Sequence, residues 1–466
     1  MRNGMVCLLG AVILPVAALA AQKAPARRCQ LDVLSVDREG YYEDFQAGVN
    51  YFAGGNVRMR CRNQPVFLDG DSLASYNQEV IWLITKARYR DETIDLSADT
   101  LIYRKNDERL EMRGNVVARN LENGSTLEGP WVDYLRAVQG IRDSAEVVAQ
   151  QRPTVTYRVL RAPGDSTDPA PYVVTTDGLR SRGSSWMQGW GNVEIDRDAL
   201  HGRGDSVLYV RSEEDLVTLA GMPATLKQSG TDSFDVSGTH VRLGLDGEVL
   251  RQVDAFGSGR VNRGTVAVVA DSVVLGFADG DLVSTRAWDH ATPARVLADG
   301  FDVRGDSIAI DTPGERLREL RVFRRGVLMQ PLDATELVPL PDSTGTDSLP
   351  PIRNTMTGSA IVATFADHDS AGTVVSRLTR ILATGSATAL FARSVIREGA
   401  PSPTINYTRG DTIIVEMHVG DSTGVREVRA YRGSQPVDGV QLERASLRPH
   451  GTALPARGTA ERERRP

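Results

Sequence analysis

Two serine motifs and one Asp-His pair carry side chains that could hydrolyse an ester. Gly70-Asp71-Ser72-Leu73 presents a serine beside a turn-forming Gly-Asp pair, and Asp198-Ala199-Leu200-His201 supplies an Asp-x-x-His partner. A serine nucleophile, a histidine base and an orienting carboxylate are the groups that acyl transfer requires. Gly420-Asp421-Ser422-Thr423-Gly424 also fits the Gly-x-Ser-x-Gly pattern of a nucleophile elbow. A serine hydrolase is therefore one candidate function.

The phrase around Ser72 recurs along the chain, which favours a structural role for it. A nucleophile needs one geometry and not a periodic one, so a GDSL-type esterase is only a remote alternative. Self-similarity at this spacing is typical of a stacked repeat architecture. The copies are Leu68-Asp69-Gly70-Asp71-Ser72-Leu73, Leu96-Ser97-Ala98-Asp99-Thr100-Leu101, Gly204-Asp205-Ser206-Val207, Ala270-Asp271-Ser272-Val273, Gly305-Asp306-Ser307-Ile308 and Gly410-Asp411-Thr412-Ile413.

The segments that position these phrases alternate between apolar and polar residues, which predicts half-buried β-strands. A second phrase, Gly-Asn-Val, occurs at 55–57, 114–116 and 191–193, where a glycine at a fixed strand position indicates a bulge or bend. Asn-Gly and Asp-Gly pairs between the runs are typical of tight hairpin turns. The repeat unit is thus predicted to be a β-hairpin, and only the segment 144–151 is predicted to form a helix.

Composition argues against several classes of partner and site. The 466 residues are 41% hydrophobic and carry a formal net charge of −6, so no basic field points to nucleic acid. The six histidines are scattered, with no pair at i, i+4 and no cysteine nearby, so we expect no metal site. A Gly-rich phosphate loop is missing, and we expect no cofactor and no enzymatic activity.

The first twenty residues have the features of an export signal. Arg2 is followed by an apolar run over 5–19, and Ala18-Leu19-Ala20 is a small-x-small cleavage site. The predicted location is the periplasm, with association with the outer membrane as a further option. Cys29 and Cys61 remain after cleavage. They are candidates for a disulfide in an oxidising compartment, with two free buried thiols as the alternative.

The stretch 55–134 carries a resemblance to a known family. It contains Leu96-Ser97-Ala98-Asp99-Thr100-Leu101-Ile102-Tyr103, Leu110-Glu111-Met112-Arg113-Gly114-Asn115-Val116 and Leu127-Glu128-Gly129. This pattern resembles the OstA-like (organic-solvent-tolerance-like) domain family. That family includes the periplasmic bridge proteins of lipopolysaccharide transport and the N-terminal domain of the outer-membrane assembly protein. The resemblance implies an all-β, elongated, twisted β-jellyroll, open like a folded taco and built from repeated hairpins.

The resemblance and the composition together give a domain plan of six parts. A signal peptide at 1–20 precedes an OstA-like β-jellyroll module at 21–160 and a second β-jellyroll region at 172–338. Residues 339–354 have the Pro-, Ser- and Thr-rich composition of a linker. A divergent β region at 355–444 and a disordered tail at 445–466 complete the chain.

The expected function is that of a periplasmic lipid-binding conduit for lipopolysaccharide or a related glycolipid. The resemblance implies an apolar interior that cradles acyl chains, and strand edges that pair with other β-jellyroll transport proteins and with the outer-membrane assembly protein. By alternation, the inner face is lined by Ile94, Leu96, Leu101, Tyr103, Leu110, Met112, Val116 and Val193. A structural or adhesive exported β-repeat protein is the alternative, and it requires a filled core instead of a groove.

The first strand of the repeat region, predicted over 49–62, is expected to form a free edge. Arg58, Arg60 and Arg62 lie on one face of it. An exposed edge strand offers unpaired backbone groups to another chain. We therefore expect head-to-tail pairing at this strand.

Overall fold

The computed structural model describes most of the chain and shows an all-β protein. Among the described residues the only helical turn is a 3-10 turn at Pro313–Glu315. None of the helical structure in them has the length and apolar composition needed to span a bilayer. The described ranges are 28–44, 48–158, 170–183, 185–211, 215–230, 233–246, 249–264, 266–278, 281–298, 301–330, 354–370, 373–397, 400–418 and 425–443.

The strands fall into two compact units, the first containing β1–β19 and the 3-10 turn, the second β21 and β23–β29; β20 and β22 span the boundary. The strands of the first unit are β1 (Leu31–Ser35), β2 (Arg38–Asp44), β3 (Gly48–Cys61), β4 (Phe67–Tyr76), β5 (Val80–Arg90), β6 (Ile94–Arg104), β7 (Arg109–Asn120), β8 (Thr126–Leu135), β9 (Glu146–Gln150), β10 (Thr154–Tyr157), β11 (Tyr172–Thr175), β12 (Gly178–Arg182), β13 (Trp186–Arg197), β14 (Leu200–Arg211), β15 (Asp215–Gln228), β16 (Phe234–Asp246), β17 (Val249–Arg263), β18 (Val266–Ala278) and β19 (Asp281–Trp288). The remaining strands are β20 (Ala294–Ala298), β21 (Phe301–Gly305), β22 (Ser307–Asp311), β23 (Glu319–Gln330), β24 (Asn354–Ser370), β25 (Thr373–Arg397), β26 (Ala400–Met417), β27 (Val425–Arg432), β28 (Gln435–Pro436) and β29 (Val440–Glu443).

Strands of the first unit pair in chain order as antiparallel hairpins. The ladder runs from β3 to β8 and again from β13 to β19. Between them β8 splits: one half pairs with β9 and then β12, the other with β10 and then β11, and both paths meet on β13. In the second unit β23 to β27 follow the same order. The predicted β-jellyroll of repeated hairpins is confirmed at this level.

Long strands bend sharply near their middle, at a point that we call the corner. This bend accounts for the Asp-Ser/Thr phrase and for the Gly-Asn-Val phrase. The Gly-Asn pairs Gly55-Asn56, Gly114-Asn115 and Gly191-Asn192 all have positive φ, between 45° and 79°. Two successive left-handed residues bend the strand, and the ladder register breaks there. Glycine is required at the first position because a Cβ on Gly114 would lie 2.3 Å from Oδ2 of Asp99.

The aspartate opposite each Gly-Asn pair fastens the corner. Nδ2 of Asn115 donates to Oδ2 of Asp99 at 2.8 Å, and Asn192 donates to Asp177 at 2.8 Å in the same way. In the second unit Nε of Arg325 lies 2.5 Å from Oδ1 of Asp306. Asp99 and Asp306, which belong to the repeated phrase, therefore hold a bend in place, and Asp177 does the same outside the phrase.

The corners divide the first unit into two facing walls, which we name by their contents. The cystine wall contains Cys61, and it comprises the segments 57–61, 67–70, 87–90, 94–98, 116–120 and 126–129, strands β10 and β11, and the segments 193–197, 200–204, 224–228, 234–238, 259–263 and 266–270. The tryptophan wall comprises 51–54, 72–76, 80–84, 100–104, 109–113 and 131–135, strands β9 and β12, the segments 186–190 and 206–211, and the corresponding parts of β15–β19.

The two walls pack against each other through their inward faces. Tyr89 of the cystine wall and Tyr134 of the tryptophan wall lie with ring centroids 5.8 Å apart. Both side chains are at least 95% buried, as are most inward apolar residues of the first unit. Two opposed sheets with alternating faces bury one face each, which forms the core of the unit.

Two sequence predictions about local structure are wrong. The segment predicted as a helix at 144–151 contains strand β9, because Val147 and Ala149 point inward with period 2 and the left-handed pair Gln151-Arg152 forms its corner. The strand predicted as a free edge is β3, and both of its halves are covered: Leu31 of β1 pairs with Cys61, and Tyr41 of β2 pairs with Tyr51.

Several predicted segments lie outside the described residues. These are the signal peptide at 1–20, the tail at 445–466, the nucleophile-elbow motif at 420–424 and, apart from Asn354, the linker at 339–354.

Candidate functional site

All eight side chains predicted to line the interior point inward. Ile94 and Leu96 begin β6 on the cystine wall, and the same strand crosses its corner to place Leu101 and Tyr103 on the tryptophan wall. The remaining four are Leu110, Met112, Val116 and Val193, on β7 and β13. Each of the eight is 0–1% exposed. Alternation thus identified the inward face, but a ligand could reach these side chains only if the walls separated.

The predicted residues belong to a longer apolar row. Leu101 lies opposite Met112 in the ladder, and each step to the next strand meets another buried residue with no polar side chain. At a strand spacing of about 4.8 Å the row extends for roughly 55–60 Å. Its members are Leu73, Leu83, Leu101, Met112, Val132, Ala149, Leu179, Gly189, Val207, Leu219, Val241, Ala255 and Val273.

A buried polar cluster joins the walls at the rim, opposite the corners. The Glu108 carboxylate lies in the turn after β6, on the tryptophan wall, and accepts hydrogen bonds from Tyr103 Oη at 2.6 Å and from Arg136 at 2.6 Å. From the cystine-wall side, the backbone N–H of Cys29 donates to Glu108 at 2.7 Å, and Gln64 accepts from Arg136 at 3.1 Å. We call Glu108, Arg136, Tyr103, Gln64 and Cys29 the rim cluster.

Burial strengthens the electrostatic interactions within the rim cluster. The Arg136 and Glu108 side chains are 4% and 1% exposed. Burial alone would lower the pKa of the Arg136 guanidinium, but its interactions with Tyr89 and Glu108 outweigh this effect, so its pKa is raised. Burial, followed by the Glu108 carboxylate, raises the pKa of Tyr103. At neutral pH the Arg136 guanidinium is therefore charged and the Tyr103 hydroxyl is neutral.

The Glu108–Arg136 pair of the rim cluster has no signal in the sequence. Glu108 and Arg136 lie at strand ends, 28 residues apart, and neither belongs to an alternating run or to a repeated phrase. Cys29 and Cys61 form a disulfide in the structure, with a Cα–Cα distance of 5.1 Å. This bond holds the segment that supplies the Cys29 N–H to the end of β3.

The residues of the hydrolase motif are not brought together. Ser72 lies at the corner of β4 on the tryptophan wall, whereas His201 lies on β14 in the cystine wall, with strands β5–β13 between them in the ladder. Nδ1 of His201 is 2.7 Å from Oδ1 of Asp196, its cross-strand neighbour. The hydrogen-bond partner of His201 is therefore Asp196, whereas the motif predicted Asp198. Within the described ranges no group of three or more His, Cys, Asp or Glu side chains could hold a metal ion.

No protein-family model matches the chain, and no curated protein matches it.

Proposed function

We propose that this protein is a periplasmic lipid-binding conduit that holds the acyl chains of lipopolysaccharide or a related glycolipid between its two walls. The observation that carries the proposal is the unbroken row of apolar inward residues along the first unit. A path of that kind lets an acyl chain move from strand to strand without meeting a buried polar group, which would cost free energy. The sugar and phosphate groups would stay in water at the rim.

Loading requires the walls to part. The inward side chains are 0–1% exposed, so an acyl chain must replace contacts such as that between Tyr89 and Tyr134. The corners are continuous backbone and serve as the hinge. At the N-terminal end of the rim the walls are held by the Glu108–Arg136 ion pair and the hydrogen bonds around it. Opening there would begin with this cluster.

The partners in this proposal pair with a strand edge. Among the described residues β1 and β2 pair only with β3, so their outer edges are available in place of the edge predicted on β3. Val33 and Tyr41 on these strands are exposed by 45% and 69%. A related β-jellyroll transport protein, or the outer-membrane assembly protein, would continue the ladder there.

Photo-crosslinking tests the interior. A benzophenone amino acid replaces Leu101 or Met112, and the matched control carries it at Ser97, which is exposed on the outer face of the same strand β6. We expect glycolipid adducts at Leu101 and Met112 and few at Ser97. Equilibrium binding of a fluorescent lipid A analogue to the unmodified chain provides a measurement that is independent of the substitutions. Absence of both adducts and analogue binding would overturn the proposal.

A structural or adhesive exported repeat protein is the second candidate. The observation in its favour is the burial of the whole inward row, because a filled core needs no ligand to be stable. The two candidates differ in the effect of lipid on amide hydrogen exchange. A conduit should show altered exchange in β6 and β7 when lipopolysaccharide is added, whereas a filled core should show none.

A further inference from the structure

All five tryptophans of the chain lie on the outer face of one wall. Trp82 pairs with Ala74 and Ile102 in the row beside the buried Leu83, so it points away from the interior. The same alternation places the other four outward on the tryptophan wall: Trp131, Trp186, Trp190 and Trp288. A tryptophan side chain contributes most to stability when it is buried. Five tryptophans on one outer face therefore indicate that this face binds another surface.

The N-terminal end of this face carries an exposed apolar patch. Phe52, Tyr76, Trp82 and Ile84, which we call the aromatic patch, are each 38–45% exposed on the adjacent strands β3, β4 and β5. The Phe52 and Tyr76 rings contact edge to face, with centroids 6.1 Å apart. The positions between them in the ladder are Ala74 and Ser72, so no charge interrupts the patch.

A band of guanidinium groups borders the aromatic patch. Arg104 and Arg109 bind Glu111 and Asp133 at 2.6 Å, and Arg113 covers the Trp131 ring at 3.8 Å while it contacts Asp133. The two carboxylates are 11% and 9% exposed and the three arginines 33–43%. The acidic groups are therefore sunk beneath the basic ones, and the face presents positive charge outward.

The pattern continues further along the tryptophan wall. Arg180 and Arg182 share the Glu146 carboxylate, and Arg242 binds Asp254, which is almost fully buried. Together with the band above, six arginines engage four carboxylates. The outer face thus combines exposed aromatic rings with an excess of guanidinium groups.

We propose that the outer face of the tryptophan wall docks onto a lipid bilayer that carries anionic headgroups. Tryptophan and tyrosine rings partition to the headgroup level of a membrane, and exposed arginines add attraction to anionic lipid. A second copy of the same face is a poorer match, because a two-fold contact would bring guanidinium groups together. This proposal does not depend on lipid between the walls, because it uses the opposite face of the sheet.

Vesicle flotation with the full chain tests this docking. The test variant is Phe52→Ser, Trp82→Ser and Ile84→Ser combined. The matched control is Phe67→Ser, Val117→Ser and Val269→Ser combined, on the outer face of the cystine wall, where these side chains are 37–43% exposed. We expect the wild-type chain to float with phosphatidylglycerol vesicles and to bind phosphatidylcholine vesicles more weakly. The aromatic-patch variant should lose roughly tenfold or more in partitioning, and the control should keep it.

Tryptophan fluorescence gives a second signal without any substitution. All five indoles lie on the proposed contact face, so binding to anionic vesicles should shift the emission of the wild-type chain to shorter wavelength. Glycolipid crosslinking at Leu101 should be unchanged in the aromatic-patch variant, which separates failure of this proposal from failure of the conduit. Equal losses in the two variants, or no flotation of the wild type, would overturn the docking. Concentration-dependent dimerisation that the aromatic-patch variant abolishes would instead assign the face to a second copy.

Discussion

The cystine wall and the tryptophan wall have inner faces of the same character but different outer faces. Inside, both present alternating apolar residues that are almost fully buried. Outside, the cystine wall carries cross-strand pairs of opposite charge, such as Arg88–Asp95 and Lys227–Asp235. The tryptophan wall carries aromatic rings and arginines above sunken carboxylates. Packing of the core requires apolar residues on the inner faces of both walls. It does not constrain the outer faces, which can therefore differ.

The largest expected effect comes from the rim cluster, where the two walls meet. Arg136→Met leaves the Glu108 carboxylate buried without its cation, which should lower the free energy of unfolding by about 3–5 kcal/mol. The matched control is Arg88→Met on the cystine wall, where the Arg88 Nε to Asp95 Oδ1 distance is 2.8 Å but the arginine is half exposed. That change should cost at most about 1 kcal/mol. Urea denaturation measures both.

A double substitution makes this comparison sharper. Arg136→Met with Glu108→Leu removes both buried charges and should recover part of the loss, because an uncompensated charge is costlier than an apolar pair. The unrecovered part is the cost of leaving the Tyr103 hydroxyl and the Cys29 N–H without their acceptor. If Arg136→Met costs no more than Arg88→Met, the cluster does not join the walls as described.

The corners should give the next effect in size, since they belong to both walls. Gly114→Ala places a Cβ in a left-handed residue and against Asp99, and it should cost about 1–3 kcal/mol. Gly54→Ala is the matched control, because Gly54 is close to the neighbouring corner on β3 but has no atom within 4 Å of its added Cβ. Its effect should stay within about 0.5 kcal/mol. Equal melting temperatures for the two variants would contradict this role of Gly114.

Sequence patterns predicted what is local and missed what depends on register. Period-2 alternation placed Leu101 and Met112 on the inward face, and the spacing of the phrases predicted repeated hairpins. That Asp99 and Asn115 fasten one corner required the alignment of two strands, which no motif encodes. Glu108 and Arg136 meet only because turns of the fold bring them together.

The errors have similar physical causes. Segment 144–151 is short enough for helix and strand patterns to overlap, and the pairing of β9 with β8 and β12 decides in favour of the strand. Strands β1 and β2 cover β3 although neither contains a repeated phrase. The tryptophans of the outer face are absent from the predicted sites because alternation identifies only the inward residues as lining the interior.

The smallest expected effect concerns the largely buried carboxylates of the tryptophan wall, and it is measured as the pH dependence of stability. Burial alone would raise the pKa of Glu146, but hydrogen bonds from Arg180 and Arg182 lower it below its ordinary value. A carboxyl group whose pKa is lower in the folded state stabilises the fold above its unfolded pKa of about 4.3, and this stabilisation is lost as the pH falls through the folded value. Glu146→Gln should therefore cost less than about 1 kcal/mol at pH 6, because both arginines are partly exposed. The difference in urea midpoint between wild type and variant should shrink as the pH falls below about 4. A difference that stays constant from pH 6 to pH 3 would show that Glu146 contributes through packing and not through its charge.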